Sequence, residues 1–192
     1  MYINSFWKTF MVKKLLVAAI LACSTTSFAA MQEDVYFSPN GGVEAQIVKY
    51  IGEAQTSLYI AAYNFTSDAV GDALVAASKR GVKVHAVIDS KAAVQRNNQV
   101  CKIAAAGADV LIDNKHPIHH NKYIIVDEKN VETGSFNYSG NAEHKNAENA
   151  LFLRGDPTLA AKYIQAFGTH YAHSIKPNCS SSATSSGSAG DF

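Results

Sequence analysis

Two periodicities of apolar residues take turns along this chain. The short run Val35 to Phe37 stops at Ser38-Pro39-Asn40-Gly41-Gly42, a turn and helix-entry signal, and Val43, Ile47, Tyr50 and Ile51 then recur at helical spacing. Leu58 to Phe65 is apolar enough for a strand buried on both faces. Thr66-Ser67-Asp68 offers a helix cap, Val70, Leu74 and Ala77 form the stripe that follows, and Lys79-Arg80-Gly81 closes it. Val82 to Ile88 predicts the next strand. Asn98 to Ala106 predicts a helix ended by Gly107, and Val110 to Ile112 a short strand before the loop Asp113 to Pro117. Tyr138 to His144 reads as a short helix or loop and Asn149 to Leu153 as a strand. Asp156-Pro157 opens a last helix through Leu159, Tyr163, Phe167 and Tyr171. Parallel crossovers early and a hairpin late make the expected fold α/β, a mixed central β-sheet flanked by helices.

The late hairpin is His120 to Asn137, HNKYIIVDEKNVETGSFN. Tyr123 to Val126 and Val131 to Thr133 are rich in β-branched and aromatic residues, and Asp127 to Asn130 between them are turn formers. A symmetric turn pairs Val126 with Val131, which sets Lys122 opposite Ser135 and His120 opposite Asn137. Side chains alternate with period two, so these four polar groups are expected on one face, opposed Cβ atoms about 5 Å apart. Asp127 lies about 17 Å along an extended strand from Lys122. It is therefore expected to serve the turn, accepting backbone N–H groups of its own loop.

Composition adds one domain and an address. At 192 residues, 47% hydrophobic and 17% charged, the chain suits one well-buried domain. Met11 to Ala30 has two lysines, the apolar run Leu15 to Cys23 and small residues up to Ser27-Phe28-Ala29, the shape of a secretory signal peptide. Residues 1–30 are thus expected to be a leader, with 1–10 a candidate upstream start, residues 31–175 the domain, and 176–192 a disordered tail rich in serine, glycine and alanine. Localisation is expected to be periplasmic or secreted, without stable membrane insertion once the leader is cleaved. Export permits Cys101 and Cys179 to oxidise, although Cys101 also fits a buried small hydrophobe and Cys179 falls in the expected tail. Removing the leader's Lys8, Lys13 and Lys14 leaves 14 basic against 16 acidic residues, a net −2. A polyanion must then be met by a local patch; Lys115, Lys122, Lys129 and Lys145, with His116, His119, His120 and His144, gather around the hairpin in sequence.

The spacing His-x-Lys, four residues, Asp, six residues, Gly-Ser-x-Asn resembles the signature of the phospholipase D superfamily, six fixed residues in eighteen positions. Ser-Pro near the start, Ala62 to Thr66 and Val131 to Asn137 resemble the small, single-motif, exported bacterial endonucleases of that superfamily. The resemblance spans roughly Val35 to Tyr171 and implies a phospholipase D/nuclease-like sandwich acting on nucleic acid without a cofactor or metal. Its chemistry follows from the residues. His120 is suited to attack phosphorus, Lys122, Ser135 and Asn137 to bind the non-bridging oxygens, and Lys122 to supply the charge. Glu148 is the candidate carboxylate to hold the other ring nitrogen of His120; spacing alone leaves it open as a strand-end surface residue, and the resemblance favours the former. The motif occurs once, and one histidine cannot be nucleophile and general acid together, so a homodimer is expected to complete the site.

Three other readings compete, one of them a non-catalytic DNA-binding module, against which the intact nucleophile argues. A lipid phosphodiesterase or phosphatidyl transferase uses the same chemistry, but no aromatic-rich amphipathic helix follows the leader. His116, His119 and His120 resemble metal ligands, yet zinc sites normally add cysteine or carboxylate partners, so no metal is expected.

Overall fold

The computed structural model describes residues 31–179. The expected leader and the residues after Cys179 lie outside that range. Seven strands, β1 (Gln32–Ser38), β2 (Ser57–Ala62), β3 (Lys83–Asp89), β4 (Asp109–Asp113), β5 (Tyr123–Val126), β6 (Asn130–Gly134) and β7 (Glu148–Arg154), form one sheet in the order β1-β7-β6-β5-β2-β3-β4. β2, β3 and β4 run parallel, and the other neighbours pair antiparallel. The mixed α/β sheet is the one that the apolar pattern predicts.

Helices α1 (Val43–Gly52), α2 (Asp68–Lys79), α3 (Val100–Ala105) and α4 (Gly140–His144) belong to one side, and α5 (Pro157–Tyr171) covers the other. On the first side Val43, Ile47, Tyr50 and Ile51 of α1 and Val70, Leu74 and Ala77 of α2 are buried against Leu58, Ile60, Ile88, Ile124 and Phe152. Ser67 caps α2 by accepting from the Val70 N–H, and Asp156 caps α5 by accepting from the Leu159 N–H. On the second side Ala160 and Phe167 of α5 meet Ala61, Val87, Tyr123, Ile125 and Val131. A strand buried on both faces carries no polar alternation, which is why β2 and β5 read as unbroken apolar runs.

The end of the chain departs from expectation. Residues 176–179 are not part of a loose tail: Cys179 is bonded to Cys101 of α3, Lys176 pairs with Asp109, and Ile175 forms an antiparallel bridge with Ile112. Backbone bonds of 2.8 and 3.0 Å between Ile112 and Ile175 cover the outer edge of β4. A serine-rich composition says nothing of a disulfide that precedes it.

The hairpin register also differs by one residue. Val126 faces Asn130, Ile125 faces Val131 and Tyr123 faces Thr133, so the turn holds three residues, Asp127, Glu128 and Lys129. Asp127 and Glu128 take positive φ of 51° and 55°, a twist that lets Asn130 enter the strand. Continuing that register sets Lys122 opposite Gly134, not Ser135.

Candidate active site

The carboxyl ends of the parallel strands carry the polar groups of this domain, as open α/β sheets commonly do. Tyr63 follows β2, Asp89 ends β3 and Asp113 ends β4, the two aspartates being register partners and fully buried. The antiparallel strands bring their own termini to the same end: Lys122 precedes β5, Gly134 closes β6 and Glu148 opens β7.

There His120, Lys122, Gly134, Ser135, Asn137 and Glu148 line one cavity of about 330 Å³. The four groups expected together do converge, although not by sharing one strand face. The cavity sits where the strands stop, so residues from both faces reach its rim. Gly134 is needed in that rim because a Cβ there would stand 2.2 Å from the Asn149 carbonyl oxygen. The same carbonyl accepts from the N–H groups of both Ser135 and Phe136. That shared bond turns the chain as it leaves the sheet.

His120 is exposed, and its ring lies 4.6 Å from that of Tyr63, centroid to centroid. Lys122, 8% exposed, donates from Nζ to the His120 carbonyl at 2.9 Å and stands 5.2 Å from the Tyr63 ring centre. Burial lowers the Lys122 pKa, and the Glu148 charge acts against that shift. The Ser135 hydroxyl accepts from the Asn149 N–H at 3.1 Å, while Asn137 Oδ1 is buried without a hydrogen-bond partner among the described residues. Glu148 accepts from Asn146 Nδ2 at 3.1 Å, and its carboxylate makes no hydrogen bond to the His120 ring within this chain.

Asp127 belongs to the opposite end of the hairpin and serves structure there. Its partners are not its own loop, as expected, but the connection from α1 to β2. The carboxylate accepts from the backbone of Gln55, Thr56 and Ser57 and from the Thr56 hydroxyl at 2.8–3.2 Å. Burial acts to raise its pKa, but the hydrogen bonds from Thr56, Ser57 and Gln55 prevail and lower it. Lys129 is in the same turn, so it adds nothing to a basic patch at the cavity.

The histidines before the hairpin part company. His120 faces the cavity, while His116 and His119 turn toward Asp113, as do His170 at the end of α5 and His173 just beyond it. The carboxylate that the His116-x2-His119 spacing lacks in sequence is thus Asp113. Reasoning from the hairpin alone missed both this group and Tyr63. The usable signals are His170-x2-His173, one helical turn apart, and the aromatic residue at the end of β2.

Residues 47–171 match the family model described as cardiolipin synthase, PLD-like domain. A phospholipase D of Rickettsia prowazekii is 39% identical over 129 residues, which is 67% of this chain and 62% of that protein. The chain therefore spans less than two thirds of that relative's length. A mitochondrial cardiolipin hydrolase of Chlamydomonas reinhardtii is 30% identical over 123 residues, 64% of this chain and 55% of its own. Among solved structures, Nuc from Salmonella typhimurium, a phospholipase D family member, superposes with a TM-score of 0.73 at 38% identity, over 75% of this chain and 96% of that one. NucT from Helicobacter pylori, at 22% identity and a TM-score of 0.69, covers 76% of this chain and 99% of that one and shares the fold.

Proposed function

The chain belongs to the phospholipase D superfamily of phosphodiesterases, and on that premise we propose that it is an endonuclease that hydrolyses DNA through a phosphohistidine. The observation that carries this reading is the single cavity in which His120, Lys122, Ser135, Asn137 and Glu148 meet. Alignment with nearly all of Nuc but only part of the lipid-named relatives supports nucleic acid over lipid as substrate.

Neutral His120 attacks phosphorus and forms the P–N bond as the P–O bond to the leaving group breaks. Lys122, Ser135 and Asn137 bind the non-bridging oxygens and offset the charge that grows on them. The departing oxygen takes its proton from His120 of the partner subunit, which then accepts a proton from the water that cleaves the P–N bond. Glu148, which makes no hydrogen bond to the His120 ring of its own chain, favours the charged form of Lys122.

The single copy of the motif points to a second chain as the source of the general acid, and an uncovered surface supports it. Helix α5 lies against β2 to β6, while Val35 and Phe37 on β1 are 52% and 62% exposed. Phe37 is the register partner of Asn149, whose backbone N–H bonds Ser135, so this apolar strip adjoins the cavity. The Cys101–Cys179 disulfide fits an exported protein.

The test measures supercoiled plasmid nicking and phosphatidylcholine or cardiolipin hydrolysis by one preparation, within minutes of adding EDTA, beside sedimentation. Plasmid nicking by a dimer, lost in His120→Ala while the dimer persists, is expected. Lipid turnover without nicking would replace the substrate, and an active strict monomer would remove the shared site.

A further inference from the structure

Four imidazoles surround one buried carboxylate. Asp113 Oδ2 lies 2.8 Å from His116 Nδ1, 3.2 Å from His119 Nδ1 and 3.4 Å from His170 Nδ1, and Oδ1 lies 3.3 Å from His173 Nε2. Only His116 makes a side-chain hydrogen bond to that carboxylate. His119 Nδ1, His170 Nδ1 and His173 Nε2 are buried and find no hydrogen-bond partner among the described residues despite these short distances. These three nitrogens stand within 3.2–3.4 Å of the carboxylate without hydrogen-bond geometry to it. His119, 2% exposed, has neither ring nitrogen satisfied.

We propose that Asp113, His116, His170 and His173 form a structural binding site for a divalent transition-metal ion, zinc foremost, with His119 closing it from the protein side. One ligand atom from each of the four lies within 4.8 Å of all the others. Zinc bonds of about 2.0–2.1 Å in a tetrahedron put ligand atoms roughly 3.4 Å apart, so small side-chain rotations complete the shell. Three imidazoles and a carboxylate, without thiolate, suit an ion of the zinc class and survive an oxidising compartment.

The ion would join two parts of the chain that the Ile112–Ile175 bridge already brings side by side. Asp113 ends β4 and His116 follows in the β4–β5 connection, while His170 and His173 come from the end of α5. The same connection carries His120, and the His119 N–H is already held by Asp89 at 2.8 Å. Asn121 Nδ2 touches His170 Nε2 at 3.4 Å. Filling the site therefore steadies the segment that presents His120, without touching the phosphate.

The untagged full chain tests this by elemental mass spectrometry after dialysis, by melting before and after prolonged treatment with a strong chelator, and by the visible spectrum after cobalt(II) loading. About one zinc per chain is expected, with a melting temperature that falls on chelation and returns with zinc, and cobalt bands of a four-coordinate site. His170→Ala/His173→Ala should weaken zinc binding about 100-fold or more, while His120→Ala should leave it unchanged. If the double variant does not fold, the cobalt spectrum and zinc uptake of the native chain still decide. Native protein that takes up neither ion at micromolar concentration overturns the proposal. So does a folded double variant that binds as tightly as the native chain, or loss of the ion in His120→Ala.

Discussion

The ring of Tyr63 packs against that of His120 with centroids 4.6 Å apart, and the Lys122 ammonium lies 5.2 Å from the same tyrosine ring. Tyr63 thus touches both residues proposed for the chemistry while coming from the segment that follows β2. An aromatic contact of this kind contributes about 0.5–1.5 kcal/mol, equivalent to a factor of roughly 2 to 10 in rate if it serves only to orient the nucleophile. Tyr63→Ala is expected to reduce kcat within that range, and Tyr63→Phe to restore it. Equal loss in both variants would assign the function to the hydroxyl instead.

Lys122 is the buried cation of the cavity. Its charge is useful only when phosphate is bound, so Lys122→Gln should reduce kcat/KM by about 10²–10³ with much the same secondary structure by circular dichroism. Near-native turnover in that variant would show that the oxygens are neutralised elsewhere.

Asp127 ties the β5–β6 turn to residues 55–57. Asparagine keeps an acceptor and tolerates positive φ, so Asp127→Asn should cost about 1 kcal/mol, and Asp127→Ala about 2–3 kcal/mol as several N–H groups lose their partner. Denaturant unfolding measures both. Activity per folded molecule should stay within twofold; abolished turnover at normal stability would give Asp127 a chemical role.

Glu132 is fully buried on β6, accepts from the Tyr138 hydroxyl at 2.9 Å, and has its other oxygen unpartnered. Burial raises its pKa from 4.5 to about 8, against the opposing effect of the Tyr138 bond. The folded state therefore holds this proton where the unfolded chain has released it. Its contribution is complete below pH 4.5 and is lost as pH rises toward and through 8. Glu132→Gln should remove that part of the slope and exceed the native chain in stability at pH 8.5. A native stability profile that rises between pH 6 and 8, unchanged by the substitution, would contradict this assignment.

Much of this architecture is visible in one dimension because local rules govern it. The 3.6-residue stripes of α1 and α2, the Ser67 and Asp156 caps, and the unbroken apolar run of β2 each depend on neighbours along the chain. The motif spacing likewise identifies His120, Lys122, Ser135 and Asn137 as one group. It does so for an imperfect geometric reason, since the hairpin register is displaced by one and the residues meet at a strand terminus.

Other features depend on contacts that no local pattern contains. Asp127 finds its partners some 70 positions away, Cys179 is bonded 78 positions back to Cys101, and Asp113 gathers His170 and His173 from the far end of α5. The chain by itself determined its strands, its helices and the set of motif residues that line the cavity. Only the tertiary structure decided which end of the sheet they share, that Tyr63 joins them, and that four histidines enclose Asp113. Periodicity records which way a side chain points from its own segment, whereas a site is made by segments that the fold brings together.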